Sequence, residues 1–575
     1  MGKPVWPHST DRGRLMRMMR RRSAALTFLA IGAGAVMYLY FRGPFNRERR
    51  EVDKLFADWN RRDSPGCAVG VGRNGSAVLT RAYGMSSIEL GVPIAVDSVF
   101  PAASISKQFT AMSILLLAKQ GKLSLDDPVQ KYVPEMPEYE VPITLRHLLN
   151  HTSGLRDGFG LEGWASPRED GDRNDRIAWF LARQKGLNFA TGSRFQYNNG
   201  AYNLLGTIVK RVSGQSLRKF AEANIFEPLG MTRTHFQDTP SDMVEGLVSG
   251  YVQHAQGWSR GTEIPGTVGN AGLQTTVEDL LRWAQNFAEP RVGDTALIEA
   301  MLTPTTLTNG EKVDYAFGVN VGHYRGSRVI EHGGGDQGIS TYLAMFPEHG
   351  LAVAVLCNSD AIPSGALETR IADIYLGNKL KPIEATTSAA APKSVTLPAN
   401  QLERETGWYG DSSKSLLRVV ADGGKLTVRD VEGDDIPFEM IPIGEHEFVV
   451  SAGGIPMTRV VFAGTEMRVT PFAGGSAQVF AKLNTTTLSV AELQAFSGEF
   501  RSEELDSIYK VEAQAGKLMM VPYGRPKIVL DATGPDTFTG SGTGVVRFSR
   551  NGRGLIDGFT LNRSLAEGVR FQRVK

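Results

Sequence analysis

Apolar residues fall into three patterns along this chain, and each predicts a different kind of structure. The first is a continuous uncharged run, Ala24–Phe41 (AALTFLAIGAGAVMYLYF). As a helix of about 18 residues at about 1.5 Å each, it spans about 27 Å, close to the hydrocarbon thickness of a bilayer. Lys3, Arg12, Arg14, Arg17, Arg20, Arg21 and Arg22 precede it against Asp11, while Arg42, Arg47, Arg49 and Arg50 behind it are interleaved with Glu48 and Glu51. That bias predicts a basic cytoplasmic tail over 1–23, a transmembrane signal anchor over 24–41 and a body on the periplasmic or extracytoplasmic side. The competing expectation is secretion after cleavage at Ala33-Gly34-Ala35.

The second pattern mixes strand and helix periods from 52 to 380. Cys67–Val71 and Ala77–Ala82 flank Asn74-Gly75 and predict a hairpin. Ser106–Gln120 (SKQFTAMSILLLAKQ) is apolar nearly all round and stops at Gly121, which predicts a buried helix with a glycine stop signal. Ile339–Pro347 and Leu351–Cys357 predict two more strands around Glu348-His349-Gly350. Strands at both ends with helices between them predict an α+β domain whose antiparallel sheet is closed by its two extremities.

The third pattern follows a Pro-, Ala-, Ser- and Thr-rich linker at 381–400. Leu402, Gly407 and Tyr409 in QLERETGWYG recur as Leu493, Gly498 and Phe500 in ELQAFSGEFR. Gly424-Lys425-Leu426 recurs as Gly516-Lys517-Leu518, and Phe480 as Phe571. Units of about 90 residues with many short strands predict two small β-barrels, over 401–484 and 490–575.

Composition narrows the function. Over 575 residues, 41% hydrophobic and 22% charged positions exclude a disordered, collagen-like or polytopic membrane chain. Lys+Arg at 63 against Asp+Glu at 61 leaves +2. Without a basic stripe beyond the N-terminus, no nucleic-acid partner is expected, and the ligand should be a small molecule or a peptide. Two Cys exclude a disulfide framework, a four-cysteine zinc site and a thiol-redox motif, and neither metal nor cofactor is expected. Export would permit a Cys67–Cys357 disulfide, but two buried free thiols in strands are the expectation.

One tempting motif fails on context. Gly257-Trp258-Ser259-Arg260-Gly261 fits the nucleophile elbow of α/β-hydrolases, and His332-Gly333-Gly334-Gly335 resembles their oxyanion motif. The elbow needs a buried strand before the serine and a helix after it, whereas YVQHAQ precedes Ser259 and Pro265 follows; the HGGG segment also comes in the wrong order.

Ser104-Ile105-Ser106-Lys107 is better placed. It opens the buried helix, so the serine and the lysine share a face and the amine reaches the hydroxyl. Ser216–Lys219 and Ser507–Lys510 repeat the S-x-x-K spacing without that helix or the partners. Tyr197-Asn198-Asn199 precedes a helix expected at Ala201–Val212, where a tyrosine beside a lysine serves as a base and an asparagine amide bonds both lysine and substrate. His332-Gly333-Gly334 closes a short strand, Arg328–Glu331, and two glycines let a substrate approach the backbone. Taken singly, each element also fits a packed tyrosine, a helix-capping asparagine or a surface histidine before a turn.

In this order, S-x-x-K, Y-x-N and H-x-G resemble the signature of the serine β-lactamase and penicillin-binding-protein superfamily, in its class C and D,D-peptidase-like branch. Pro101-Ala102-Ala103-Ser104, Gly121–Asp127, Leu148–Leu155, Phe226–Met231 and Gly272–Thr276 are similar to that branch's segments, so the resemblance covers about 52–380. Two barrels behind such a domain resemble the layout of D-stereospecific aminopeptidases. The resemblance implies acyl transfer through a serine ester. In it Ser104 is the nucleophile, Lys107 and Tyr197 share the proton work, and Asn199, His332 and Gly334 meet the substrate. Main-chain N–H groups of Ser104 and Gly335 would form the oxyanion hole. Many β-lactamases carry Lys-Thr-Gly or Lys-Ser-Gly where this chain has His-Gly-Gly, which favours esters or D-amino-acid peptides over β-lactams. The alternative is a non-catalytic peptidoglycan- or lipid-binding protein with the same pocket.

Overall fold

The computed structural model describes Gly2 and residues 44–574 apart from 167–172, 240, 255, 262–266, 383–393, 412–415, 431–436, 453–454, 472–475, 486, 541–542 and 564. Its central sheet runs Asn320–Tyr324, Ser327–Asp336, Ile339–Phe346, Leu351–Cys357, Cys67–Arg73 and Ser76–Tyr83, every neighbour antiparallel. The two extremities of the domain therefore meet in one sheet, in register from Cys67↔Cys357 to Arg73↔Leu351. Asn74 and Gly75 take φ of 48° and 77°, the left-handed pair that a tight hairpin turn needs and that Asn-Gly adopts at least cost.

Side chains alternate across the sheet as its pleat requires. Cys67, Val69 and Val71 pack with Val52, Phe56, Leu367 and Ile371 from the helices Pro44–Leu55 and Ser364–Leu376. On the opposite face Gly70 lets the helix Val277–Ala288 close in, since a Cβ there would lie 3.1 Å from that of Val277. Beyond it the helix Ser106–Lys119 is buried around nearly its whole circumference, against the helix Asn199–Ser213 among others. An apolar face on every side is stable only in such a setting.

Two expectations are corrected. Cys67 and Cys357 are not free thiols: as register partners on adjacent strands they form a disulfide, across a sequence separation of 290. The run at 24–41 lies outside the described residues, and among those described no helix is long and apolar enough to cross a membrane, so the anchored localisation expected from the sequence is not supported.

Behind this α+β domain stand two closed eight-stranded barrels, Gly407–Lys482 and Gly498–Arg573, each with its strands in sequence order. The short helices Ala399–Glu405 and Val490–Ala495 precede them, the first lying across the end of the linker segment. The repeat anchors are core residues: Leu402 and Leu493, Tyr409 and Phe500, Leu426 and Leu518, and Phe480 and Phe571 are all buried. The second barrel packs directly on the α+β domain, where the Tyr509 hydroxyl donates to Trp164 O at 2.7 Å and Arg525 to Ala165 O at 3.2 Å. The first barrel leans on the second, with Trp408 Nε1 and Arg418 Nη1 both donating to Asp531, at 3.0 and 2.8 Å.

Candidate active site

The buried helix begins one residue after a short 3-10 turn, Ala103–Ile105, that carries Ser104. Ala103 takes φ of 46°, a left-handed conformation that an alanine seldom adopts and that turns the serine out of the helix path. Lys107, three residues on, is fully buried. Its amine donates to Ser104 Oγ at 3.0 Å, to Asn199 Oδ1 at 2.8 Å and to the main-chain carbonyl of Asn270 at 2.9 Å.

Burial pulls the Lys107 amine down to about 7, against the opposing pull of the Asp157 carboxylate. Tyr197 lies beside it, with the Lys107 amine 4.8 Å from the ring centroid. Burial pushes that phenol above its ordinary range, and a hydrogen bond with Ser104 acts the other way. Near neutral pH the lysine is therefore poised to lose a proton while the tyrosine keeps its own.

Tyr197 and Asn199 come from the entry to the helix Asn199–Ser213, whose N-cap is Asn198, its side chain accepting from Ala201 N–H at 2.8 Å. A second anchor is Asp157, wholly buried, whose carboxylate accepts the main-chain N–H groups of Asn199, Gly200, Phe159 and Gly160. Burial raises the pKa of Asp157, and those four bonds oppose the rise.

The third motif is delivered by the strand Ser327–Asp336. Thr341 Oγ1 donates to Ala102 O at 3.0 Å and to Gly334 O at 3.3 Å, tying this strand pair to the turn before Ser104. A Cβ at Gly334 would sit 2.3 Å from Thr341 Oγ1 and 2.4 Å from Ala102 O, so only glycine allows that approach, whereas a Cβ at Gly335 meets nothing within 4 Å. His332 is buried, and both ring nitrogens are engaged within the protein: Nδ1 with Gly333 O at 2.6 Å and Nε2 with the Tyr315 hydroxyl at 3.1 Å. A carbonyl only accepts, so the proton is assigned to Nδ1, and the tyrosine donates to Nε2. Burial and the nearby Lys107 hold the imidazole down to about 3, so it is neutral.

The structure thus brings Ser104, Lys107, Tyr197 and Asn199 into one cluster, with the strand of His332, Gly334 and Gly335 beside it. The rival serines lie elsewhere. Ser259 sits on an exposed two-stranded ribbon, bonded to His254 Nε2 at 2.7 Å, and among the described residues no helix opens directly after it. Ser216 caps a short helix, and Lys510 is paired with Glu512 on a barrel strand. Sequence reasoning missed the Asn270 carbonyl, Asp157 and Tyr315. A main-chain acceptor leaves no side-chain signal, although Asp157 does stand as the N-cap of the helix Gly158–Trp164.

The beta-lactamase family profile matches residues 50–376. The chain is 27% identical over 426 residues to penicillin-binding protein 4* of Bacillus subtilis, covering 70% of this chain and 92% of that protein. It is 24% identical over 536 residues to the D-aminopeptidase of Brucella canis, covering 89% and 96%. The octameric penicillin-binding protein homologue from Pyrococcus abyssi shares the fold, with a TM-score of 0.52 at 23% identity over 76% of this chain and 99% of that one. With the family profile spanning more than half of its length, the chain belongs to the beta-lactamase family and is a serine hydrolase of the β-lactamase-related type.

Proposed function

We propose that the protein hydrolyses D-amino-acid amides or peptides and simple esters through an acyl-enzyme on Ser104. The observation that carries this is the Lys107 amine, buried and 3.0 Å from Ser104 Oγ, with Asn199 Oδ1 and Asn270 O holding it in place. As a free amine, Lys107 takes the Ser104 proton while Oγ attacks the substrate carbonyl carbon. The oxyanion accepts from the main-chain N–H groups of Ser104 and Gly335. On collapse the C–N or C–O bond breaks, and the leaving group takes a proton passed from Lys107 through the Tyr197 hydroxyl. Water then attacks the ester carbonyl carbon and gives a proton to Lys107; the Oγ–acyl bond breaks, Lys107 passes that proton to Ser104 Oγ, and the carboxylic acid leaves with both groups back in their starting states.

Asn199 spends its carbonyl oxygen on Lys107, which leaves its amide donors for a substrate carbonyl. His332 adds no cation, and a β-lactam carboxylate would find in it neither charge nor a free ring nitrogen, which supports neutral amides and esters as substrates. The relative named D-aminopeptidase, matched over 89% of this chain, supports the D-amino-acid class. The Cys67–Cys357 disulfide supports work in an oxidising compartment. The test is a panel of D-alanine p-nitroanilide, p-nitrophenyl acetate and nitrocefin. Turnover of the first two well above nitrocefin is expected; turnover of nitrocefin alone contradicts the proposal.

A further inference from the structure

We propose that His151 is a positioning residue for proton transfer, clipping the two amides on either side of Tyr197 and so setting the phenol between Lys107 and Ser104. The inference rests on Tyr197 relaying protons as described above. His151 lies just beyond the helix Leu145–Leu149, is completely buried and takes φ of 60°, a backbone state that favours glycine or asparagine. From that strained position it reaches the Tyr197 segment twice. Its main-chain carbonyl accepts the Gln196 N–H at 3.0 Å, and its Nδ1 accepts the Asn198 N–H at 3.1 Å. The residue between those two amides is Tyr197, and the imidazole packs on its ring at 4.4 Å between centroids.

The same imidazole touches Tyr315 at 4.6 Å, and Tyr315 in turn holds His332 Nε2. One side chain thus braces both the second and the third motif. An accepting Nδ1 leaves the proton on Nε2, which has no hydrogen-bond partner although it is buried. A charged ring would bury an unsatisfied cation beside Lys107, and burial with that neighbour holds His151 neutral. A residue kept only for packing would have no need of an imidazole with one nitrogen orphaned.

The test uses the full chain and p-nitrophenyl acetate, with His151→Ala, His151→Asn, Tyr197→Phe and the double variant His151→Ala/Tyr197→Phe. His151→Ala removes the side-chain clip and should lower kcat on the order of 100-fold with KM within about 3-fold, the scale expected when a reacting group is misplaced. Asparagine tolerates positive φ and offers an Oδ1 acceptor, so His151→Asn should recover about 10-fold or more. In the Tyr197→Phe background, His151→Ala should cost under about 3-fold, because both act through one phenol. Multiplicative costs in the double variant with Tyr197→Phe itself impaired reject the role of His151 alone. A His151→Ala enzyme near wild type, or failure of both His151 variants to fold, also overturns it. A Tyr197→Phe enzyme as fast as wild type removes the relay and this proposal together.

Discussion

The main-chain N–H of Asp157 donates to the carbonyl of Leu565 at 2.7 Å, so the last turn of the second barrel touches the segment whose carboxylate holds Asn199. Arg194 and Asn188 reinforce the contact, the first paired with Glu567 at 3.4 Å and the second bonded to Leu565 O and to Glu567 N–H. The linker and the lack of motifs in the barrels predict a catalytic unit that works alone over 52–380; this interface argues that the unit is weakened without its barrel. Ending the chain at residue 484 should leave a folded protein whose kcat/KM falls about 10-fold or more, through a looser Asn199. Unchanged kinetics in the truncated chain would show that the contact is structural only.

The state of Lys107 sets the pH profile. With its amine near 7 and His332 near 3, kcat/KM for a neutral ester should rise with a single limb through about 7 and then stay flat over the range where Tyr197 remains protonated. The stability sign follows from the same shift. The folded value lies below that of the unfolded lysine, so the unfolded chain binds more protons between them; the cost is complete below about 7 and is relieved as pH rises towards the ordinary lysine range. Lys107→Met should abolish turnover, flatten that part of the stability curve, and unfold no earlier than wild type at pH 6.

Gly334 and Gly335 should respond oppositely to a methyl group. Gly334→Ala drives a Cβ into Thr341 Oγ1 and the Ala102 carbonyl, separating the third motif from Ser104, and should cost on the order of 100-fold in kcat/KM. Gly335→Ala meets open space and should fold and melt as wild type. Esterase rates and melting curves of the pair check both.

Arg156 joins barrel to domain through an ion pair with Glu504 at 3.2 Å, its side chain 6% exposed and that of Glu504 9%. It also donates to Gln184 Oε1, Glu567 O and Gly568 O. Arg156→Met leaves the buried Glu504 carboxylate without a cation, held among the described residues only by the main-chain N–H groups of Lys185 and Arg570, and should cost about 3 kcal/mol of stability. Arg156→Met/Glu504→Gln should recover part of it, as read from denaturant midpoints.

Much of this was legible in the chain for identifiable reasons. Ser106–Lys119 is apolar all round, so its burial followed, and the repeated Leu, aromatic and Phe anchors of the barrels fill equivalent core positions. Ser104, Lys107, Tyr197 and Asn199 were singled out because acyl-transfer chemistry calls for those side chains at those spacings, and the fold brings the four together. What escaped was carried by the main chain or by distant pairing. Cys67 and Cys357 meet through strand register across 290 residues, which neither local sequence reveals. The Asn270 and Leu565 carbonyls act as backbone, and any residue type supplies them. His332 looked like a substrate-facing histidine because Tyr315, which occupies its Nε2, lies 17 positions away in an unremarkable loop.

The identity of the nucleophile is tested most directly by intact-mass analysis after treatment with a fluorescent fluorophosphonate. Wild type and Ser259→Ala should each gain a single adduct, on the peptide containing Ser104, and Ser104→Ala should gain none. Undiminished labelling of Ser104→Ala, or an adduct that maps to Ser259, would contradict the account.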